Sequence, residues 1–252
     1  MTQPEIVVVE LASFGRTAAL RIARSIQAAV RERGSCALAL PAGPQTHLVY
    51  EHLRELQLPW SDVDFYFSEE RCVPPRHPAS AYSIAADLLF TVPRIGHDGV
   101  QRIEAERPDH AALAADYDAI LPERLDLAIF ELGLDGHIAG LFPNSPALDE
   151  RERRVLAVES PQKPHQRITL APRAIEEARD VVVLAIGRER AAIARKALCE
   201  DGAVHDLPAR LVLRGTWILD RTAAALLERC NSRAAARTRR ALATRRATRA
   251  IT

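Results

Sequence analysis

The chain has almost no lysine. Of its 34 basic residues only Lys163 and Lys196 are not arginine. Arginine and alanine are so frequent that coding bias accounts for their number as readily as selection for charge. Cysteine is also sparse. Cys36, Cys72, Cys199 and Cys230 are scattered, with no C-x-x-C pair, which argues against a zinc site and against a disulfide framework. Four small buried or partly buried thiols are expected. Aromatic residues make up only 5% of the chain, so its core must rest on Leu, Ile, Val and Ala. No apolar run is long enough to span a bilayer. The start, Met1-Thr-Gln-Pro-Glu, lacks the basic, apolar, small-residue order of a signal peptide, so a cytoplasmic protein is expected.

Acidic residues are absent after Glu228, where eight arginines follow. The net charge is +1, so residues 1–228 carry 1 − 8 = −7. The body is acidic and the tail basic. That tail has few large apolar residues and no interleaved aromatics on which bases could stack. It reads as a solvated, partly disordered extension rather than a nucleic-acid arm. The remaining length, with 48% hydrophobic residues in the whole chain, supports one sizeable core. The expected organisation is therefore one domain over 1–228 and an arginine-rich extension over 229–252.

Within 1–228, apolar patterns alternate between strand and helix. Short β-branched or continuous apolar runs at 6–9, 36–40, 63–67, 125–130 and 180–186 predict strands. Recurrence at three and four residues predicts helices over 13–33, 48–56, 79–90, 110–121 and 188–198, the first stopped by Gly34. Residues 208–213 and 216–219 close the body, and 221–227 predicts a last helix. This alternation implies an α/β fold: a mostly parallel, Rossmann-like sheet flanked by helices on both faces, in a single domain. Ligands of such sheets sit beyond the carboxyl ends of the strands. The unusual segments 41–46, 69–71 and 133–137 all fall there.

Two of these segments, and two arginines outside them, contain candidate chemistry. Asp135 and His137 follow a buried strand in a glycine turn. A histidine is the usual general base near neutral pH, and a carboxylate two residues away can orient it. On spacing alone, a turn aspartate beside a surface histidine is the simpler reading. Ser68-Glu-Glu-Arg71 ends a strand; Arg71 offers planar donors, while Glu69 and Glu70 point opposite ways if the strand continues. Arg190 lies in a first helical turn, where a cation is disfavoured unless an anion is present. Arg167 sits on a strand.

Together these segments resemble the family of 6-phosphogluconolactonases and glucosamine-6-phosphate deaminases, over about residues 14–225. The strongest match is Gly133-Leu-Asp-Gly-His-Ile-Ala-Gly-Leu-Phe-Pro143, similar to the family's G-x-D-G-H-T-A-S-L-F-P. Glu70-Arg-Cys-Val-Pro74, Ser80-Ala-Tyr82, Arg102-Ile103, Arg167-Ile-Thr-Leu170, 187–190 and Trp217-Ile-Leu-Asp220 support it in the same order.

The resemblance implies hydrolysis of a sugar-phosphate lactone, with His137 as general base and Asp135 orienting it. Arg71 would hold substrate oxygens near the reacting end, with Glu69 and Gly136 nearby. Arg167 and Arg190 would bind the phosphate, Arg190 where the family usually has Lys. The loop containing Gly43, Gln45 and Thr46 would complete the phosphate site. No metal or organic cofactor is implied, and the partner is a small sugar phosphate bound by a monomer or small homo-oligomer. A deaminase-like enzyme and a weakened sugar-phosphate-binding protein are the alternatives.

Three departures stand out. The loop Pro41-Ala-Gly-Pro-Gln-Thr46 replaces S-G-G-S-T-P, and its prolines have no N–H to donate. Glu131 stands for a usual Gly. Glu69 stands for a usual Asp.

Overall fold

The computed structural model describes residues 4–92 and 94–227; the extension 229–252 lies outside them. Six strands form one wholly parallel sheet: β1 (Glu5–Val9), β2 (Cys36–Leu40), β3 (Val63–Phe67), β5 (Leu127–Glu131), β8 (Asp180–Ala185) and β9 (Thr216–Asp220). Their order is β1-β9-β8-β5-β2-β3. Every residue of β2 and β9 is buried, as are the first four of β5 and the last five of β8. Strands buried at successive positions have both faces covered, which is why they read as continuous apolar runs rather than alternating ones.

Among the described residues six α-helices pack around the sheet: α1 (Leu11–Arg33), α2 (Thr46–Leu53), α3 (Ala81–Leu88), α4 (His110–Ile120), α5 (Pro172–Glu177) and α6 (Ala191–Cys199). On α1 the buried residues Phe14, Ala18, Ile22, Ile26 and Ala29 recur at three and four positions, giving one stripe against the sheet. The observed architecture is the expected one, a mainly parallel sheet flanked by helices. No helix among the described residues is long and apolar enough to cross a membrane.

Three findings differ from expectation. The charges after β3 do not end that strand. They form β4 (Glu69–Arg71), which joins β6 (Val155–Glu159) and β7 (Gln166–Leu170) in a small antiparallel sheet of order β4-β7-β6. Residues 221–226 form turns where the sequence predicts a last helix. The Asp220 carboxylate accepts from the Ala223 N–H at 2.8 Å and the Thr222 hydroxyl at 2.6 Å, a local bonding pattern that competes with helix. Cys36 and Cys72 are free, but Cys199 is disulfide-bonded, because sequence spacing says nothing about proximity in space.

Strand order places the site. From β2 the sheet continues to β3 on one side, and from β5 to β8 on the other. The β2–β5 border is therefore the point where the winding reverses, and a crevice opens there beyond the carboxyl ends. The loops 41–46 and 132–137 leave these two strands at that crevice.

Candidate active site

A cavity of about 180 Å³ lies at this border. Its walls include Gly43 from the loop after β2, Glu69 and Arg71 from β4, Glu131 and His137 from the end of β5 and its loop, and Arg190 from the turn before α6. Five sequence-predicted residues thus meet in one space: His137, Arg71, Glu69, Arg190 and Gly43.

The His137 ring is fixed from three sides. Its Nδ1 lies 2.6 Å from Asp135 Oδ1, and the same carboxylate oxygen accepts the His137 backbone N–H at 3.1 Å. The ring packs on Phe142 with centroids 4.5 Å apart. Gly133 provides the third side: a Cβ there would stand 2.1 Å from His137 Nδ1. Only glycine lets the ring lie back against the chain at this point. With Asp135 taking an Nδ1 proton, Nε2 keeps the lone pair of a base. Burial pushes the Asp135 carboxyl up, but its bonds to His137 outweigh that and hold it below its ordinary value. Asp135 lies behind the ring and does not line the cavity.

Glu69 and Arg167 form a buried pair. Arg167 is 3% exposed and donates from Nη1 to Glu69 Oε2 at 2.9 Å. Its guanidinium carbon sits 5.2 Å from the centre of the Phe142 ring. Burial raises Glu69, yet Arg71, Arg167 and His137 together lower it below the ordinary value, so it stays ionised. Strand register explains the cluster: Arg71 lies opposite Arg167 in the β4–β7 pair, and Glu69 offsets two like charges that would otherwise repel. Arg167 does not line the cavity. One of its donors, Nη1, is taken by Glu69.

Glu70 points the other way, as strand alternation requires. Its carboxylate accepts from the N–H of Ala81 at 2.7 Å, of Tyr82 at 2.9 Å and of Arg71 at 2.8 Å, and from the Ser80 hydroxyl at 2.9 Å. This buried side chain pins the start of α3 to β4 and so sets where Arg71 emerges. Among the described residues no group accepts a hydrogen bond from the Arg71 guanidinium, which leaves its donors to the cavity. Arg190 is more constrained. It donates to the carbonyls of Leu132 and Ile186, both at 2.8 Å, and to Glu189 at 2.7 Å.

The loop 41–46 shows what sequence reasoning missed. Thr46 N–H donates to Glu131 Oε1 at 2.8 Å, and Gln45 Nε2 to Glu131 Oε2 at 3.1 Å. Gln45 Oε1 accepts from Ile186 N–H at 2.6 Å. A Cβ at Gly43 would lie 1.9 Å from the Glu131 carboxylate, so a side chain there would displace that carboxylate. Gln45 and Thr46 are thus bound to Glu131 and do not line the cavity. Burial raises the Glu131 carboxyl to about 7, although its hydrogen bonds to Thr46 and Gln45 and the charges of Arg190 and Arg71 pull it down. Gly136 is also outside the cavity wall; it shapes the turn with φ 86° and accepts from Ala209 N–H at 2.9 Å. Gln162 lines the cavity from a loop that carried no sequence signal.

Residues 10–220 match the family described as glucosamine-6-phosphate isomerases/6-phosphogluconolactonase. A 6-phosphogluconolactonase of Pseudomonas aeruginosa is 34% identical over 214 residues, covering 81% of this chain and 88% of that one. The 6-phosphogluconolactonase of Homo sapiens is 37% identical over 174 residues, covering 64% and 67%. The solved structure of 6-phosphogluconolactonase from Trypanosoma cruzi superposes with a TM-score of 0.78 at 27% identity, covering 89% of this chain and 97% of that one. The chain belongs to the glucosamine-6-phosphate isomerase/6-phosphogluconolactonase family.

Proposed function

We propose that the protein hydrolyses 6-phospho-D-glucono-1,5-lactone to 6-phosphogluconate, the lactone-opening step of the oxidative pentose phosphate pathway, with His137 as general base. The observation that carries this reading is the His137–Asp135 contact at 2.6 Å on the wall of a cavity shared with Arg71 and Arg190. The names of the two sequence relatives support the substrate.

His137 Nε2 takes a proton from water as the water oxygen bonds to the lactone carbonyl carbon. Asp135 keeps the imidazole in the required tautomer and stabilises its charged form. Arg71 faces the carbonyl oxygen, where negative charge develops. As the tetrahedral intermediate collapses, the ring C–O bond breaks and the leaving alkoxide takes the proton back from His137. The product carboxylic acid then ionises. Arg190 holds the anionic end of the substrate. A lactone is an activated ester, so a placed base and one cation near the oxyanion suffice.

A deaminase-type reaction would lean on a free carboxylate at position 69. Glu69 is buried and paired with Arg167, which favours the lactonase. The test is direct. Purified protein should release acid from fresh 6-phosphogluconolactone well above the spontaneous rate and release no ammonia from glucosamine 6-phosphate. Ammonia release without lactone hydrolysis would contradict the reading.

A further inference from the structure

The proposed mechanism leaves Glu131 without a role, although its carboxylate lines the cavity and is held by two donors of the 41–46 loop. Its two oxygens sit on the Thr46 N–H, at the start of the eight-residue helix α2, and on the Gln45 amide. Donors at a helix start next to a cavity would ordinarily serve an anion of the ligand. Here a side chain 85 residues away in sequence takes that place. Gly43 leaves room for it in this position, because a Cβ at 43 would lie 1.9 Å from the carboxylate.

We propose that Glu131 is a specificity-determining residue: its carboxylate occupies the donors of the 41–46 loop and turns that end of the cavity against an anionic substrate group. The consequence is a site that holds the phosphate end through Arg190 alone, with Arg71 at the carbonyl, and discriminates weakly between a phosphorylated lactone and its unphosphorylated counterpart. The groups facing Glu131 fix the sign of its pH response. Arg71 from β4 and Arg190 before α6 are the cations whose charges act on it. Tyr50 on α2 is held protonated well above its ordinary value by burial. Glu131 is therefore the group that changes charge near pH 7 at this end of the site. Below that pH it becomes neutral and tolerates an anion; above it, it repels one.

This inference rests on reading the cavity as a lactone site, so the experiment separates the two. kcat/KM is measured for D-glucono-1,5-lactone and for its 6-phosphate with wild type, Glu131→Gln and Glu131→Gly. The ratio of phosphorylated to unphosphorylated substrate should rise at least about tenfold in both variants, mostly through KM, because one unfavourable charge contact is removed from a partly desolvated site. In wild type the ratio should fall between pH 6 and pH 8 relative to Glu131→Gln, in which the phosphate's own titration is the same. A ratio unchanged within about twofold overturns the proposal. In parallel, 6-phosphogluconate binding is followed by calorimetry. Tighter binding by Glu131→Gln supports the role of Glu131 even if no lactone is hydrolysed, in which case only the proposed activity falls. Equal binding, or none by either protein, overturns it. Glu131→Gln keeps the side chain's shape and an acceptor for Thr46, so it tests the charge even if Glu131→Gly does not fold.

Discussion

Replacing Glu131 by Gln should make the protein's stability less sensitive to pH. The carboxyl moves from an ordinary 4.5 to about 7 on folding, chiefly through burial. A carboxyl raised in the fold binds its proton more tightly there than in the unfolded chain. Its stabilising share is complete below about 4.5 and is lost as the pH rises through about 7. At about 1.4 kcal/mol per tenfold, the full difference is about 3 kcal/mol. Glu131 is partly exposed to the cavity, and solvent screening reduces this to about 1.5 kcal/mol. For a chain of this size that is a shift of about 3–6 °C in melting temperature. Thermal unfolding of wild type and variant at intervals from pH 5 to pH 8.5 isolates it, because every other titrating group cancels in the difference. The wild-type curve should fall relative to that of Glu131→Gln between pH 5 and pH 8 by about three quarters of this amount. Parallel curves would refute the reasoning.

Two further predictions concern the supports of the site. Glu70→Ala leaves the donors of Arg71, Ser80, Ala81 and Tyr82 without their buried acceptor, and should cost about 3 kcal/mol in urea unfolding; a loss below about 1 kcal/mol would mean that water replaces the carboxylate. Gly133→Ala places a methyl against His137 Nδ1, where 2.1 Å is available, and should cut kcat for lactone hydrolysis at least about a hundredfold; near-normal turnover would show that the ring position does not matter.

Much of the main sheet could be read from residue type. β2, β3 and β8 are short apolar runs, and their boundaries agree with the structure within a residue. The small sheet was harder. β4 is three charged residues with no apolar alternation, and its partner register exists only in the fold. That register, not residue type, makes Arg167 a buried partner of Glu69. The His137–Asp135 contact was visible as a two-residue spacing within a glycine turn, but spacing does not distinguish it from a surface turn. Phe142 and Gly133, which hold the ring, settle the difference. Glu131 stood out in the sequence as a departure from the glycine usual in the family. That its carboxylate reaches the Thr46 N–H depends on β2 and β5 being neighbours, which local patterns do not encode.

The role proposed for His137 is to activate water inside this cavity. Its most direct test is the initial rate of acid release from fresh 6-phosphogluconolactone at pH 7, corrected for spontaneous opening, for wild type and His137→Asn. The account predicts clear catalysis by wild type and a loss of at least about a hundredfold in the variant, with 6-phosphogluconate binding retained. A folded His137→Asn protein that turns over within twofold of wild type would contradict it.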